Sequence, residues 1–307
     1  MKRILATYCA MALFCICAFA QKSYDTPVRV IVPDGVVAAE NQQLLTDRLQ
    51  AVVTSKGMGS IDQATRFFVY PVFVELGDVL SGSVPPMHVV EMELSLYVAD
   101  ILNGKVYTQC TYPLKGVGRT DILAYRNAIK NISGDNPVVD DMFERTRSEI
   151  VSYYLSEGAT IIAEAKTCAS MNDYEKALYL LACIPSCCSG IYETAQEEMV
   201  NVYVRYVDYL AEKLLAQARA LWASTQDREG AQEVISILNQ IEPTAKCYPQ
   251  AEELVAEISK RVGEEWELEK HLVYSAVELE KMRIEAAREV GVAFGTHQQP
   301  TSFLHYR

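Results

Sequence analysis

VEMELSLYVADILNGKVYTQCTYPLKGVGRTDILAYRNAIKNI, residues 90–132, is the stretch from which the fold of the first half is read. Val90, Met92, Leu94, Leu96 and Val98 alternate with Glu91, Glu93, Ser95 and Tyr97. A period of two puts one face of a strand in a core and leaves the other in water. Asn103-Gly104 comes next, a pair that tolerates the positive φ of a tight turn, so Val106 to Leu114 reads as the return strand of a hairpin. Thr120 then stands where a hydroxyl can cap a helix running from about Asp121 to Ile132, with Ala124, Ala128 and Ile129 on one face.

Upstream, Val28 to Val32 is a short apolar, β-rich run stopped by Pro33-Asp34-Gly35. Leu44, Leu45, Leu49, Val52 and Val53 recur at helical spacing, and Gly57 is placed to end that helix. Phe67 to Leu76 is apolar on both alternating faces, which predicts a central strand covered on both sides. The resulting order is strand, helix, strand, strand, strand, helix, an α+β domain over residues 25–134.

The second half changes character. No Pro lies between Pro185 and Pro243, or between Pro249 and Pro300, so long helices are permitted. Ala169-Ser170-x-x-Asp173-x-Glu175-x-Ala177 recurs as Ala223-Ser224-x-x-Asp227-x-Glu229-x-Ala231, an offset of 54 residues. Each copy leads to a helix that ends at Ile184-Pro185 or at Ile241 to Pro243, and then to Tyr-x-x-Ala at Tyr192 or Tyr248. The pattern resembles tetratricopeptide-type hairpins. That resemblance implies an elongated all-α array over residues 138–293 that presents one face to a partner. A plain helical bundle is the alternative. The offset exceeds the period of about 34 residues of that family, so longer helices are expected to join the hairpins, over Tyr192 to Thr225 and Pro249 to Val290. Residues 294–307 lack helical period and read as a tail whose Phe303, Leu304 and Tyr306 can dock on the chain itself or on a partner.

The N-terminus supplies the compartment. Lys2 and Arg3 precede an apolar run from Ile4 to Phe19, and Ala18-Phe19-Ala20 matches a signal-peptidase site. Residues 1–20 are therefore expected to be a cleaved secretory signal. Cys15 follows Phe14 and Cys17 follows Ile16, so the small residue that lipid attachment needs before its Cys is missing. A periplasmic or outer-envelope address follows, with peripheral membrane association open and no further span expected. Without Lys2 and Arg3 the balance is 26 Lys and Arg against 40 Asp and Glu, or −14. That sign excludes a nucleic-acid surface, which must be basic.

Six cysteines follow the signal: Cys110, Cys168, Cys183, Cys187, Cys188 and Cys247. Cys110 and Cys168 sit at apolar positions and read as buried thiols. Cys187-Cys188 and Cys247 both follow an Ile-Pro-type helix end, so a bridge from one of the vicinal pair to Cys247 is expected. No ligand spacing for zinc accompanies the Cys183 to Cys188 cluster. The histidines His88, His271, His297 and His305 stand apart from any nucleophile pattern. Neither a catalytic set, nor a cofactor, nor a metal is expected.

Lys115-Gly116-Val117-Gly118-Arg119-Thr120 has a second reading. Glycines and basic residues before a helix can form an anion or ligand loop, with Lys115, Gly116, Gly118, Arg119 and Thr120 as the candidate residues. The same glycines can simply let the chain pass closely from strand to helix. A hairpin, Gly-x-Gly and then Ala-x-x-x-Ala-Ile at Ala124 to Ile129 resembles the small α+β modules of envelope-assembly proteins of the flagellar-assembly and curli-secretion type. This resemblance implies a structural role in the envelope. The expected function is an exported, non-enzymatic adaptor or scaffold binding other envelope proteins; the alternative is an enzyme or small-ligand binder with its site near Gly116 and Gly118.

Overall fold

The computed structural model describes residues 26–59, 64–263 and 276–297. The signal segment 1–20, the acidic run Glu264 to Glu269 with Lys270 and His271, and the tail residues Phe303, Leu304, His305 and Tyr306 lie outside them. The described chain divides into two compact units, one of 26–59 with 67–150, the other of 64–66 with 151–263 and 276–297. The division falls inside a long helix, whose first turns belong to the first unit.

The first unit is an α+β layer. Strands β1 (Arg29–Val30), β2 (Phe67–Leu80), β3 (His88–Asp100) and β4 (Val106–Gly118) form one sheet in the order β1-β2-β3-β4. Helix α1 (Ala39–Ser55) lies between β1 and β2 in the chain, and α2 (Asp121–Lys130) follows β4. The alternation in β3 does what its period demands: Val90, Met92, Leu94, Leu96 and Val98 are buried. Gly104 turns the hairpin at φ 70. Leu45, Leu49, Val52 and Val53 of α1 join Ala124, Ala128 and Ile129 of α2 in the core, and Gly57, at φ 70, ends the chain's departure from α1.

Strand β2 departs from the expectation of a central strand covered on both faces. Its first residues, Phe67 to Val69, are buried, but Val74 is 50% exposed, Leu76 60%, Val79 61% and Leu80 64%. Strand β1 accompanies β2 in parallel only at Arg29 beside Phe68 and Val30 beside Val69. The Ile31 amide makes the last bond, to the Val69 carbonyl at 2.9 Å. The next rung of a parallel ladder needs an amide hydrogen at residue 71, and Pro71 has none. From Val72 onward β2 is therefore an edge strand, and Val72, Val74, Leu76, Val79 and Leu80 on it are exposed.

The second unit contains the later part of α3 (Pro137–Ser170), then α4 (Tyr174–Ala182), α5 (Ser189–Thr225), α6 (Arg228–Leu238), α7 (Tyr248–Val262) and α8 (Ala276–His297). The sequence repeat is a repeat of structure. Asn172 (φ 63) and Gln226 (φ 49) both take left-handed backbone, and the next residue, Asp173 or Asp227, is the N-cap of the following helix. Helices α3 and α5 run side by side in the same direction: Gly158 meets Ile191, Lys166 pairs with Glu198 at 3.1 Å and Arg205 donates to the Ala169 carbonyl at 3.0 Å. Helices α5 and α7 repeat the relation, with Arg219 donating to Gln250 and Trp222 to Glu257, each at 3.3 Å. The offset of 54 arises because α5 is 37 residues long. Its C-terminal half packs into a core with α6 and α7 that includes Leu215, Trp222, Val234, Leu238, Leu254 and Ile258.

Two helix boundaries differ from expectation. The helix expected over Pro249 to Val290 stops at Gly263, which caps α7 in left-handed conformation at φ 78. Helix α8 is separate and lies against α4, where a β-carbon on Gly291 would come within 2.9 Å of the Leu178 carbonyl oxygen. It also extends through Phe294 into the expected tail, and the Phe294 ring packs 5.5 Å from that of Tyr179. No helix of the described residues is long and apolar enough to cross a membrane.

Candidate functional site

The structure separates the residues expected to form an anion loop. Lys115, Gly116 and Gly118 belong to β4 itself, paired with Glu91, Val90 and His88 of β3. Lys115 is on the exposed face and its Nζ lies 2.7 Å from Glu91 Oε1. Gly116 and Gly118 are on the opposite, buried face, where a β-carbon would meet the Ala124 carbonyl oxygen at 2.0 Å and the Ala124 amide nitrogen at 2.4 Å respectively. The glycines are there because α2 rests directly on the strand. Thr120 is the N-cap, its Oγ1 accepting from the Leu123 amide at 3.3 Å, and Arg119 is exposed.

The expected bridge to Cys247 is also corrected. Cys188 is the N-cap of α5 and Cys247 that of α7, so the equivalence of the two loops holds. But the Lys246 amide donates to Asp208 at 2.9 Å, and Asp208 stands twenty residues along α5 from Cys188, about 30 Å at 1.5 Å per residue. A disulfide needs Cα atoms within roughly 7 Å. Among the described residues no disulfide joins the six cysteines; Cys187 is exposed and Cys188 and Cys247 are buried. Burial pushes the Cys110 thiol up to about 11, as befits a packed core thiol.

What gathers beside Gly118 is negative. Asp78 of β2, His88 of β3 and Asp121 of α2 each bring a donor atom within 4.8 Å of the others, and His88 Nδ1 lies 3.5 Å from Asp78 Oδ2. Close by, Tyr125 donates its phenol hydrogen to Glu75; burial, then the Glu75 hydrogen bond and the charges of Glu75, Asp121 and Asp78, hold that phenol well above its usual range. Among the described residues no Lys or Arg pairs with Glu75, Asp78 or Asp121. The chemistry suits a cation instead of an anion, and two carboxylates with an imidazole are donors a divalent metal accepts. In the sequence His88 is an isolated residue at a strand start. Extending the hairpin back from a two-residue Asn103-Gly104 turn sets His88 opposite Arg119; the register shift between Val98 and Ala99 brings it to Gly118 instead, and a second shift, between Glu75 and Gly77 of β2, sets Asp78 beside Val90.

The two edges of the sheet differ. Along β4 three outward carbonyls accept from side chains: Arg145 donates to Gln109 at 3.5 Å, Asn131 to Lys115 at 2.9 Å and Asn127 to Val117 at 2.7 Å. Pro113 offers no amide hydrogen. Among the described residues, the edge of β2 beyond Pro71 has no such closure. Backbone groups alternate between the two sides of a strand, and Val69 bonds on the β1 side, so Phe73 and Glu75 turn their amides and carbonyls to the open side. Side chains alternate as well. Val72, Val74 and Val79 lie on the sheet face away from α2, opposite Ser95, Glu93 and Val89, whereas Glu75 and Asp78 share a face with the buried Met92 and Val90.

No protein-family model matches the chain, and no curated protein matches it. Among solved structures it is similar to a minor lipoprotein from Acinetobacter baumannii at 11% identity, over 41% of this chain and 92% of that one, with a TM-score of 0.24. A protein from Caulobacter crescentus CB15 described as a candidate lipoprotein is similar at 10% identity, over 44% of this chain and 96% of that one, with a TM-score of 0.25.

Proposed function

We propose that the mature chain is an exported, non-enzymatic adaptor of the cell envelope that works by binding other envelope proteins. The observation that carries this reading is the open edge of β2, where Val72, Val74, Leu76, Val79 and Leu80 are exposed in one continuous strand. Natural sheets close, charge or shorten their edges, and β4 in this molecule does so; a long apolar edge left open is a surface for another chain. The signal-like residues 1–20 supply the export address, and the acidic balance directs binding away from nucleic acid. The repeated helical hairpins resemble tetratricopeptide units, whose arrays present a partner-binding face. A photo-crosslinking residue at Val74, with proximity labelling in the native cell, tests the reading. Recurrent envelope proteins in both experiments are expected, and a labelled set no different from that of an unrelated exported protein would sink it.

The carboxylates beside Gly118 favour a second reading, a small cationic ligand at Asp78, His88 and Asp121. Titrating the protein with Mn²⁺ or Zn²⁺ and following its thermal midpoint tests this. A rise that is absent from Asp78→Asn with Asp121→Asn is the expected result; no rise, or an equal rise in the variant, counts against it.

A further inference from the structure

We infer that the β2 edge from Val72 to Leu80 takes, by strand addition, an extended segment of a partner protein in which basic and apolar residues alternate. The inference rests on the adaptor reading and states what kind of partner that reading needs.

A strand laid against this edge receives its main-chain bonds from the outward amides and carbonyls of Phe73 and Glu75. Its side chains then fall in two bands, because neighbours on adjacent strands share a face. In one band they lie beside Phe73, Glu75, Asp78 and Leu80, the two carboxylates at its centre, with Asp121 close by. Those carboxylates have no Lys or Arg partner among the described residues, in contrast to Glu91, which has Lys115 at 2.7 Å. Lys or Arg is the complement there. In the other band the neighbours are Val72, Val74 and Val79, all exposed, and an apolar side chain is the complement. A second copy of this chain fits poorly: pairing β2 with β2 would put the Glu75 and Asp78 of both copies into the same band. An acidic strand meets the same repulsion.

Hydrogen-exchange mass spectrometry on the mature chain, residues 21–307, tests this with synthetic peptides of about ten residues, the length that covers Val72–Leu80 at ~3.3 Å per residue. One peptide alternates Val and Arg, a second alternates Val and Glu, and a third repeats the Val/Arg sequence with backbone N-methyl groups on the bonding edges. The Val/Arg peptide is expected to slow exchange across 72–80, with an affinity about tenfold or more above that of the Val/Glu peptide. The N-methylated peptide keeps the charge but loses the donors, and is expected to protect nothing. In Glu75→Lys with Asp78→Lys, both at exposed positions, the preference is expected to reverse.

Equal protection by the Val/Arg peptide and its N-methylated form would reduce the effect to charge adsorption and overturn strand addition. Concentration-dependent protection of 72–80 without any peptide would assign the edge to a second copy. Protection that disappears on deleting residues 298–307 would assign it to the chain's own tail. Each outcome overturns the proposal. Envelope partners captured through the helical unit, with no peptide effect at β2, would leave the adaptor reading standing and remove only this one; loss of both the partners and the peptide effect removes both.

Discussion

Gly116 of β4 lies so close beneath Ala124 of α2 that a β-carbon on the glycine would come within 2.0 Å of the Ala124 carbonyl oxygen and 2.6 Å of the Ala128 amide nitrogen. Both obstacles are helix backbone, which cannot rotate aside as a side chain would. Gly116→Ala must therefore lift α2 off the sheet. The expected cost is at the upper end of, or beyond, the ~1–3 kcal/mol typical of overpacking, seen as a lower urea midpoint. A variant as stable as the parent would show that α2 does not rest on β4 in this way.

Asp173 and Asp227 occupy equivalent turns but do unequal work. The Asp227 carboxylate accepts from the Gly230 amide at 2.8 Å, whereas Asp173 makes no side-chain cap bond. Asp227→Ala is expected to cost about 1 kcal/mol, as loss of a helix cap does, and Asp173→Ala clearly less. Chemical denaturation of the two variants decides; equal losses would contradict the difference between the turns.

Asp208 is nearly buried, and its carboxylate holds the 244–248 loop by accepting from the Lys246 amide at 2.9 Å and pairing with the Lys246 ammonium at 2.7 Å. Burial alone would raise its pKa, but the Lys246 bonds outweigh it and the carboxyl lies below its usual range. A depressed carboxyl stabilises the fold above its unfolded pKa and loses that contribution as pH falls through its folded one. Asp208→Ala is expected to cost roughly 1–3 kcal/mol near pH 7, and the gap between variant and parent to close below about pH 4. A gap that stays constant down to the acid transition would exclude the linkage.

The twenty residues of α5 between Cys188 and Asp208 forbid a bridge from the vicinal pair to Cys247 within one molecule. Peptide mapping of oxidised, monomeric protein without reductant is expected to recover Cys247 as a free thiol. A Cys187–Cys247 or Cys188–Cys247 peptide would mean that the helices of this unit pack differently.

Much of the fold was legible because its signals are local. The alternation through Val98, the turn at Asn103-Gly104, the Thr120 cap and the helix faces of α1 and α2 each depend on residues a few positions apart, and each appears where expected. The paired Asp173 and Asp227 turns were legible for the same reason. The helix expected over Pro249 to Val290 is shorter in the structure: the apolar spacing continues past Gly263, but the left-handed φ of that glycine ends α7. The candidate site was less legible. Gly116 and Gly118 stood out in the sequence for their composition, yet the same composition serves an anion loop and a tight helix seat; only the position of α2 distinguishes them.

By itself the sequence determined the order of strands and helices, the repeated helical turn, the acidic balance and the expectation of export, all of which follow from the period, chemistry and spacing of near neighbours. Tertiary structure alone decided that Pro71 ends the β1 ladder and leaves Val72 to Leu80 as an open edge. It also decided that Asp78, His88 and Asp121 meet, and that Cys188 and Cys247 do not. Those outcomes depend on which distant residues share a rung, a face or a helix length, and strand register and helix packing set these through the sum of many contacts.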